Sequence, residues 1–137
     1  RDCYGITVSA NVIAHDFSGG VDLRDAHGCA ISANTFTIVK KVAVAVRSES
    51  ASITISANNF SDTWIGNDEN GKPLQRRENE ASKTEENPNE AAGILLEDCE
   101  AVVISGNLFS RLSVEAVVQQ GDCRKILTNG NGWKLDD

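Results

Sequence analysis

The sequence is poor in several residue types. Its shortage of basic residues and its lack of long apolar runs each argue against a class of protein. Its 137 residues include no methionine, two prolines and two histidines, and aromatic side chains make up 5% of the chain. Thirteen lysines and arginines stand against 20 acidic residues, for a formal net charge of −7, so the basic surface that a nucleic acid requires is missing. No apolar run approaches the roughly 20 residues of a transmembrane helix. We therefore predict no nucleic-acid partner and no membrane span.

What the sequence does contain is a repeat rich in Ser, Ala, Asn, Val and Ile. One phrase occurs five times, and each copy ends in asparagine, at intervals of 23, 24, 49 and 24 residues. The interval of 49 corresponds to one repeat plus an insertion of about 25 residues. The asparagines are Asn11, Asn34, Asn58, Asn107 and Asn131.

Each copy of the phrase has the alternation of a half-buried β-strand. Residues five and three positions before the asparagine are apolar, as in Ile53 and Ile55 before Asn58, while their neighbours are small or polar. A large apolar residue follows two positions after each asparagine, and a second short strand precedes each of the last four phrases, at 21–24, 44–47, 94–97 and 117–120. Several short strands per repeat, with no helical periodicity, predict an all-β parallel β-helix of about five coils of 23–24 residues.

The five asparagines have a structural interpretation. Amide side chains stacked about 4.8 Å apart on successive coils can hydrogen-bond to one another. Asparagine also tolerates the left-handed backbone of a tight turn. We expect a ladder that fixes the register of the coils.

The repeat, of the type Gly-Ile-x-Val-Ser-x-Asn-x-Phe, resembles that of the right-handed parallel β-helix, or pectin-lyase-like, superfamily. The resemblance extends over nearly the whole chain apart from the insertion. It implies a carbohydrate-active protein acting on or binding a polysaccharide, and a secreted or extracytoplasmic location. The superfamily includes polysaccharide lyases, glycoside hydrolases and epimerases, together with tailspikes and non-catalytic surface proteins, so whether the chain is an enzyme stays open.

The repeat also predicts how the chain is organised. We expect a single β-helix domain over 1–137, interrupted by a flexible polar loop over 67–91 that contains both prolines and scarcely any large apolar residue. The first repeat begins almost inside a strand. This suggests the C-terminal part of a longer solenoid.

Candidate site residues lie on the outward face of the strand that precedes each phrase. Stacking places Arg24 beside Arg47, with Glu97 next in the row and Asp22 one step along the strand. Two guanidinium groups one strand apart can grip the carboxylates of an acidic polysaccharide, and a nearby carboxylate can act as acid or base. These four residues are the catalytic candidates, with Arg24 and Arg47 as substrate-binding residues. The alternative is that they are solvated surface charges.

Other polar residues suggest no defined metal site. Acidic residues at Asp22, Asp25, Asp98 and Asp122 raise the idea of a calcium ion, but no motif supports it, and the cysteine and histidine spacings do not match a zinc site. Cys99 and Cys123 occupy equivalent positions on adjacent coils. They are either stacked thiols or, in an oxidising compartment, a disulfide.

Two further functional hypotheses remain open. The first is a non-catalytic structural, adhesion or binding module, favoured by small apolar outward positions such as Ala45 and Leu95, which would form a flat contact surface. The second is a tailspike-like trimer with an exposed apolar stripe as its interface.

Overall fold

The computed structural model describes residues 2–14, 19–37, 39, 42–61, 93–110 and 116–134, and within these ranges it consists of short strands without a helix. Every strand pair is parallel, and the strands form three sheets that run along the molecule. The chain passes through sheet C, then sheet A, then sheet B in each coil. The predicted all-β parallel solenoid is confirmed. No helix within the described ranges is long and apolar enough to cross a membrane.

The strands are numbered in chain order. Sheet A contains β1 (Cys3–Tyr4), β2 (Thr7–Ser9), β5 (Ala26–His27), β6 (Ala30–Ser32), β9 (Ala51–Ser56), β12 (Glu100–Ser105) and β15 (Arg124–Asn129). Sheet B contains β3 (Val12–Ala14), β7 (Thr35–Thr37), β10 (Asn59–Ser61), β13 (Leu108–Ser110) and β16 (Gly132–Lys134). Sheet C contains β4 (Val21–Arg24), β8 (Val44–Arg47), β11 (Ile94–Glu97) and β14 (Val117–Gln120).

The described strands make four complete turns of the solenoid, preceded by a partial turn formed by β1, β2 and β3. We call the partial turn coil 1 and the complete turns coils 2 to 5. The five asparagine phrases correspond to five layers in sheets A and B, whereas sheet C has four. The predicted insertion at 67–91 lies outside the described residues.

The core is a set of stacked columns that run parallel to the solenoid axis. Phe36, Phe60 and Phe109 lie one above another with ring centroids 5.0 Å apart and ring planes within 7° and 11° of parallel. All three rings are almost completely buried. Because the register of sheet B places each phenylalanine directly on the next, the repeat spacing produces the stack.

The asparagines form a continuous ladder of hydrogen bonds. The Oδ1 atom of Asn58 accepts from the backbone N and from Nδ2 of Asn34, at 2.9 and 3.0 Å. Its own Nδ2 donates to Oδ1 of Asn107 and to the carbonyl of Ile31 on the preceding coil. Equivalent bonds join Asn11 to Asn34 and Asn107 to Asn131. Each buried amide therefore holds its own coil against the coils on both sides.

The left-handed turn at the end of sheet A is made by the residue before each asparagine and not by the asparagine itself. Ala33 and Ala57 have φ angles of 56° and 55°, and Gly106 has a φ angle of 65°. The asparagine side chain is therefore used for hydrogen bonding between coils, while the left-handed conformation falls on a small neighbour.

Close packing at the corner between sheets B and C requires a residue with almost no side chain. A Cβ atom on Gly20 would lie 2.5 Å from the carbonyl oxygen of Ala43 and 2.7 Å from the ring of Phe36. Gly93 has the same relation to Ala116 and to Phe109. Small residues at this corner let the backbone pass against the phenylalanine stack.

Two residues expected to form an exposed apolar surface are buried. Ala45 and Leu95 are 3% and 6% exposed, and they form a cluster with Val42 and Val118 that is separate from the core between the sheets. The flat exposed contact surface expected from these positions is thus absent at Ala45 and Leu95.

Candidate functional site

The predicted polar row lies at the end of the strands of sheet C. The register pairs Arg24 with Arg47 and Arg47 with Glu97 on successive coils. Asp22 lies two residues before Arg24 on the same strand, and its partner on the next coil is Ala45. The structure therefore brings all four candidates together on sheet C, towards the C-terminal ends of three neighbouring strands.

The charges of this row are already paired with one another. Asp22 Oδ2 lies 2.9 Å from Nη2 of Arg24 and accepts hydrogen bonds from both Nε and Nη2 of that residue. Asp22 Oδ1 lies 3.0 Å from Nε of Arg47, whose Nη1 is 3.7 Å from Glu97 Oε2. The Arg47 contact is close enough for an ion pair, but its Nε is not directed as a hydrogen bond. One carboxylate therefore bridges two coils.

Asp22 also alters the protonation equilibrium of its neighbour. The hydrogen bonds from Arg24 to Asp22, and then the negative charge of Asp22, raise the pKa of the Arg24 guanidinium above its ordinary value. An anionic sugar would have to compete with Asp22 for Arg24. The row contains two cations and two anions and has no excess positive charge to attract a polyanion.

A groove of about 620 Å³ opens beside the row, at the corner where each coil passes from sheet C to sheet A. We call it the corner groove. Ala51 is the register partner of His27 on one neighbouring strand and of Glu100 on the other. Its short side chain leaves the gap between them. The lining is formed by His27, Ser48, Glu49, Ala51, Asp98, Cys99, Glu100, Asp122 and Arg124.

One end of the corner groove carries an interlocked set of charges. Glu100 lies 2.6 Å from Nζ of Lys125 and 3.3 Å from Arg124, which also contacts Asp122 at 3.5 Å. Lys125, and to a lesser extent Arg124, lower the pKa of the Glu100 carboxyl. The Asp98 carboxylate accepts a 2.8 Å hydrogen bond from the backbone N of Asp122. These contacts connect the carboxylates of Asp98 and Glu100 to residues of the next coil.

At the other end of the groove, the lining residue His27 stacks on Tyr4 of the preceding coil, which does not itself line the groove. The rings of Tyr4 and His27 are stacked, with centroids 5.2 Å apart and planes 18° from parallel. His27 Nε2 is 3.2 Å from Asp25 Oδ1, and Tyr4 is 75% exposed. The groove therefore has an aromatic end and an acidic end.

Two thiols lie beneath the acidic end. Cys99 is 3% exposed and lines the groove floor, and its Sγ is 4.0 Å from Sγ of Cys123 on the next coil. Burial, followed by the neighbouring Cys123, raises the pKa of the Cys99 thiol to about 12. Cys99 is therefore a protonated thiol at neutral pH.

Sequence reasoning noted Asp25, Asp98 and Asp122 as acids, but it did not identify the groove or assign a role to Glu49 or Glu100. A signal was present, because the position nine residues before every repeat asparagine is acidic. The column consists of Asp2, Asp25, Glu49, Asp98 and Asp122. Within the described ranges, these acids do not form a group of three or more metal-binding side chains that could hold an ion.

Comparison with protein families gives one finding. The chain matches a family model described as a right handed beta helix region over residues 1–132. Comparison with curated proteins and with solved structures returned no significant match.

Proposed function

Since the chain belongs to the right-handed β-helix family, we propose that it is a carbohydrate-binding β-helix module whose saccharide lies in the corner groove. The observation that carries the proposal is the groove itself, with four carboxylates and Arg124 near one end and the stacked Tyr4–His27 pair near the other. Sugar rings offer hydroxyl donors along their edges and apolar C–H faces. A groove with carboxylate acceptors and an aromatic neighbour complements both.

The charge of the groove favours a neutral polysaccharide over a polyuronate. Glu49, Asp98, Glu100 and Asp122 outnumber the single guanidinium of Arg124. Such a surface repels an anionic chain but accepts hydrogen bonds from neutral hydroxyls. The acidic polysaccharide expected from Arg24 and Arg47 is the competing proposal, and their pairing with Asp22 weighs against it.

The proposal is tested by filling the groove without touching the core. Ala51→Tyr introduces an outward ring between His27 and Glu100. Thr54→Tyr is the matched control, because Thr54 is exposed on the same strand but does not line the groove. Retention by neutral glucan, galactomannan, polygalacturonate and alginate is measured by affinity electrophoresis. We expect binding to a neutral polymer that Ala51→Tyr abolishes and Thr54→Tyr leaves unchanged.

The competing sites give different results. If polygalacturonate or alginate is retained, and the double variant Arg24→Glu, Arg47→Glu abolishes retention while Ala51→Tyr does not, the saccharide lies on sheet C and the groove proposal is wrong. Release of reducing ends or of unsaturated products in the same incubations would identify a hydrolase or a lyase. If no polymer is retained, the purely structural module is favoured, for which the internal pairing of the arginine row is the supporting observation.

A further inference from the structure

The two sulfur atoms beneath the corner groove lie in a geometry suited to a covalent link between coils. Cys99 and Cys123 immediately precede Glu100 and Arg124, which are register partners on β12 and β15. The backbone N of Arg124 donates to the carbonyl of Cys99 at 3.0 Å. Neighbouring strands lie about 4.8 Å apart, within the Cα separation that a disulfide spans.

We propose that Cys99 and Cys123 are a disulfide-forming modification site that links coil 4 to coil 5 beneath the groove. The Sγ atoms are 4.0 Å apart, so rotation of the side chains has to bring them about 2 Å closer. Cys123 is the more accessible of the two, because it is partly exposed whereas Cys99 is buried. The site is thus reached from solvent through Cys123.

The chemistry requires a low-molecular-weight disulfide as oxidant. The Cys123 thiolate attacks one sulfur of that disulfide, forming a mixed disulfide and releasing one thiolate. Cys99 then loses its proton to solvent and attacks Sγ of Cys123, which forms the Cys99–Cys123 bond and releases the second small thiol. Two protein thiols are oxidised while one small disulfide is reduced to two thiols.

The equivalent positions on other coils show that neither sulfur is required for packing. Ala26 and Ser50 occupy the same column, and both are completely buried. Alanine at 99 or 123 therefore fits a position where the fold already accepts a small side chain. This makes alanine variants suitable for testing the pair.

Cys3 and Cys29 are replaced in the test protein because they form a second pair of neighbouring thiols. Burial, followed by a hydrogen bond with Cys29, raises the pKa of Cys3. The test protein is the double variant Cys3→Ala, Cys29→Ala. It is equilibrated with reduced and oxidised glutathione across a range of ratios, with and without urea. Free thiols are then alkylated in denaturant, and peptides are mapped by mass spectrometry.

We expect both alkylation sites to disappear together and a Cys99–Cys123 cross-linked peptide to appear, at a lower oxidised fraction of glutathione in the folded protein than in urea. The oxidised protein should melt about 5 °C or more above the reduced one. Adding Cys99→Ala should leave only a mixed disulfide at Cys123 and remove the thermal shift. Intermolecular links, persistent mixed disulfides, or a native pair no easier to oxidise than the unfolded pair would overturn the proposal.

Discussion

The carboxylate of Asp22 lies 3.0 Å from Nε of Arg47, one coil further along the solenoid. The same carboxylate accepts hydrogen bonds from Arg24 on its own strand. Asp22 thus contacts both guanidinium groups that the repeat places side by side, while Glu97 lies 3.7 Å from Arg47 alone. The availability of the two arginines to a ligand therefore depends chiefly on Asp22.

Replacing Asp22 should therefore increase the affinity of sheet C for polyanions. Asp22→Asn removes the charge that pairs with Arg24 and Arg47, and it should lower the raised pKa of Arg24. We expect stronger retention of the variant on immobilised polygalacturonate at low ionic strength, with the gain lost as salt is added. The retention is measured as the salt concentration at elution.

A matched control separates local pairing from net charge. Asp25→Asn removes the same charge from an exposed carboxylate that contacts His27 and neither arginine. If both variants elute at the same salt concentration, total charge governs retention and the pairing of Asp22 with the arginines is irrelevant to it.

The asparagine ladder should be strongest at its buried centre. Asn58→Ala leaves the backbone N of Asn34 and the carbonyl of Ile31 without the partners that Asn58 supplies. Because these groups are buried away from water, the free energy of unfolding should fall by roughly 3 kcal/mol. Asn11→Ala, at an exposed end of the ladder, should cost less than about 1 kcal/mol. Urea unfolding measures both, and equal losses would contradict a cooperative buried ladder.

The left-handed alanines predict a stabilising substitution. Ala57 has a φ angle of 55°, a conformation that costs a residue with a Cβ atom more than it costs glycine. Ala57→Gly should raise the free energy of unfolding by about 0.5–1 kcal/mol. Ala51, a strand residue without a positive φ, is the control, and its replacement by glycine should have the opposite sign. Stabilisation by both substitutions, or by neither, would show that backbone strain at Ala57 is not the cause.

What could be predicted from the sequence depends on which features recur in every coil. The Phe36–Phe60–Phe109 stack follows from spacing alone, because in-register parallel strands place equivalent residues directly over one another. The contact between Asp22 and Arg47 is diagonal, and side-chain rotamers decide it.

The corner groove was not predicted for a related reason. It depends on a single small residue, Ala51, between larger neighbours, so it is a departure from the repeat. The burial of Ala45 and Leu95 was equally unpredictable, since alternation along a strand gives the direction of a side chain and not what covers it.

The buried thiol of Cys99 should make the stability of the reduced protein depend on alkaline pH. Burial raises the pKa of Cys99 to about 12, whereas an unfolded cysteine titrates near 8.5. Between these values the unfolded chain releases a proton that the native protein retains, so the free energy of unfolding falls as pH rises. The contribution is fully present below about pH 8.5 and is lost progressively towards pH 12. One such group accounts for at most about 1.4 kcal/mol per pH unit.

This dependence is isolated by comparison with Cys99→Ala. Urea unfolding of both proteins under reducing conditions, from pH 7.5 to 10.5, cancels the titration of the lysines that they share. As pH rises, the free energy of unfolding of the original protein should fall more steeply than that of Cys99→Ala. Cys123→Ala should give an intermediate slope, because Cys123 contributes to the raised pKa but burial contributes more. Parallel curves for all three proteins would contradict the raised pKa, because Cys99 would then ionise as readily in the folded chain as in the unfolded one.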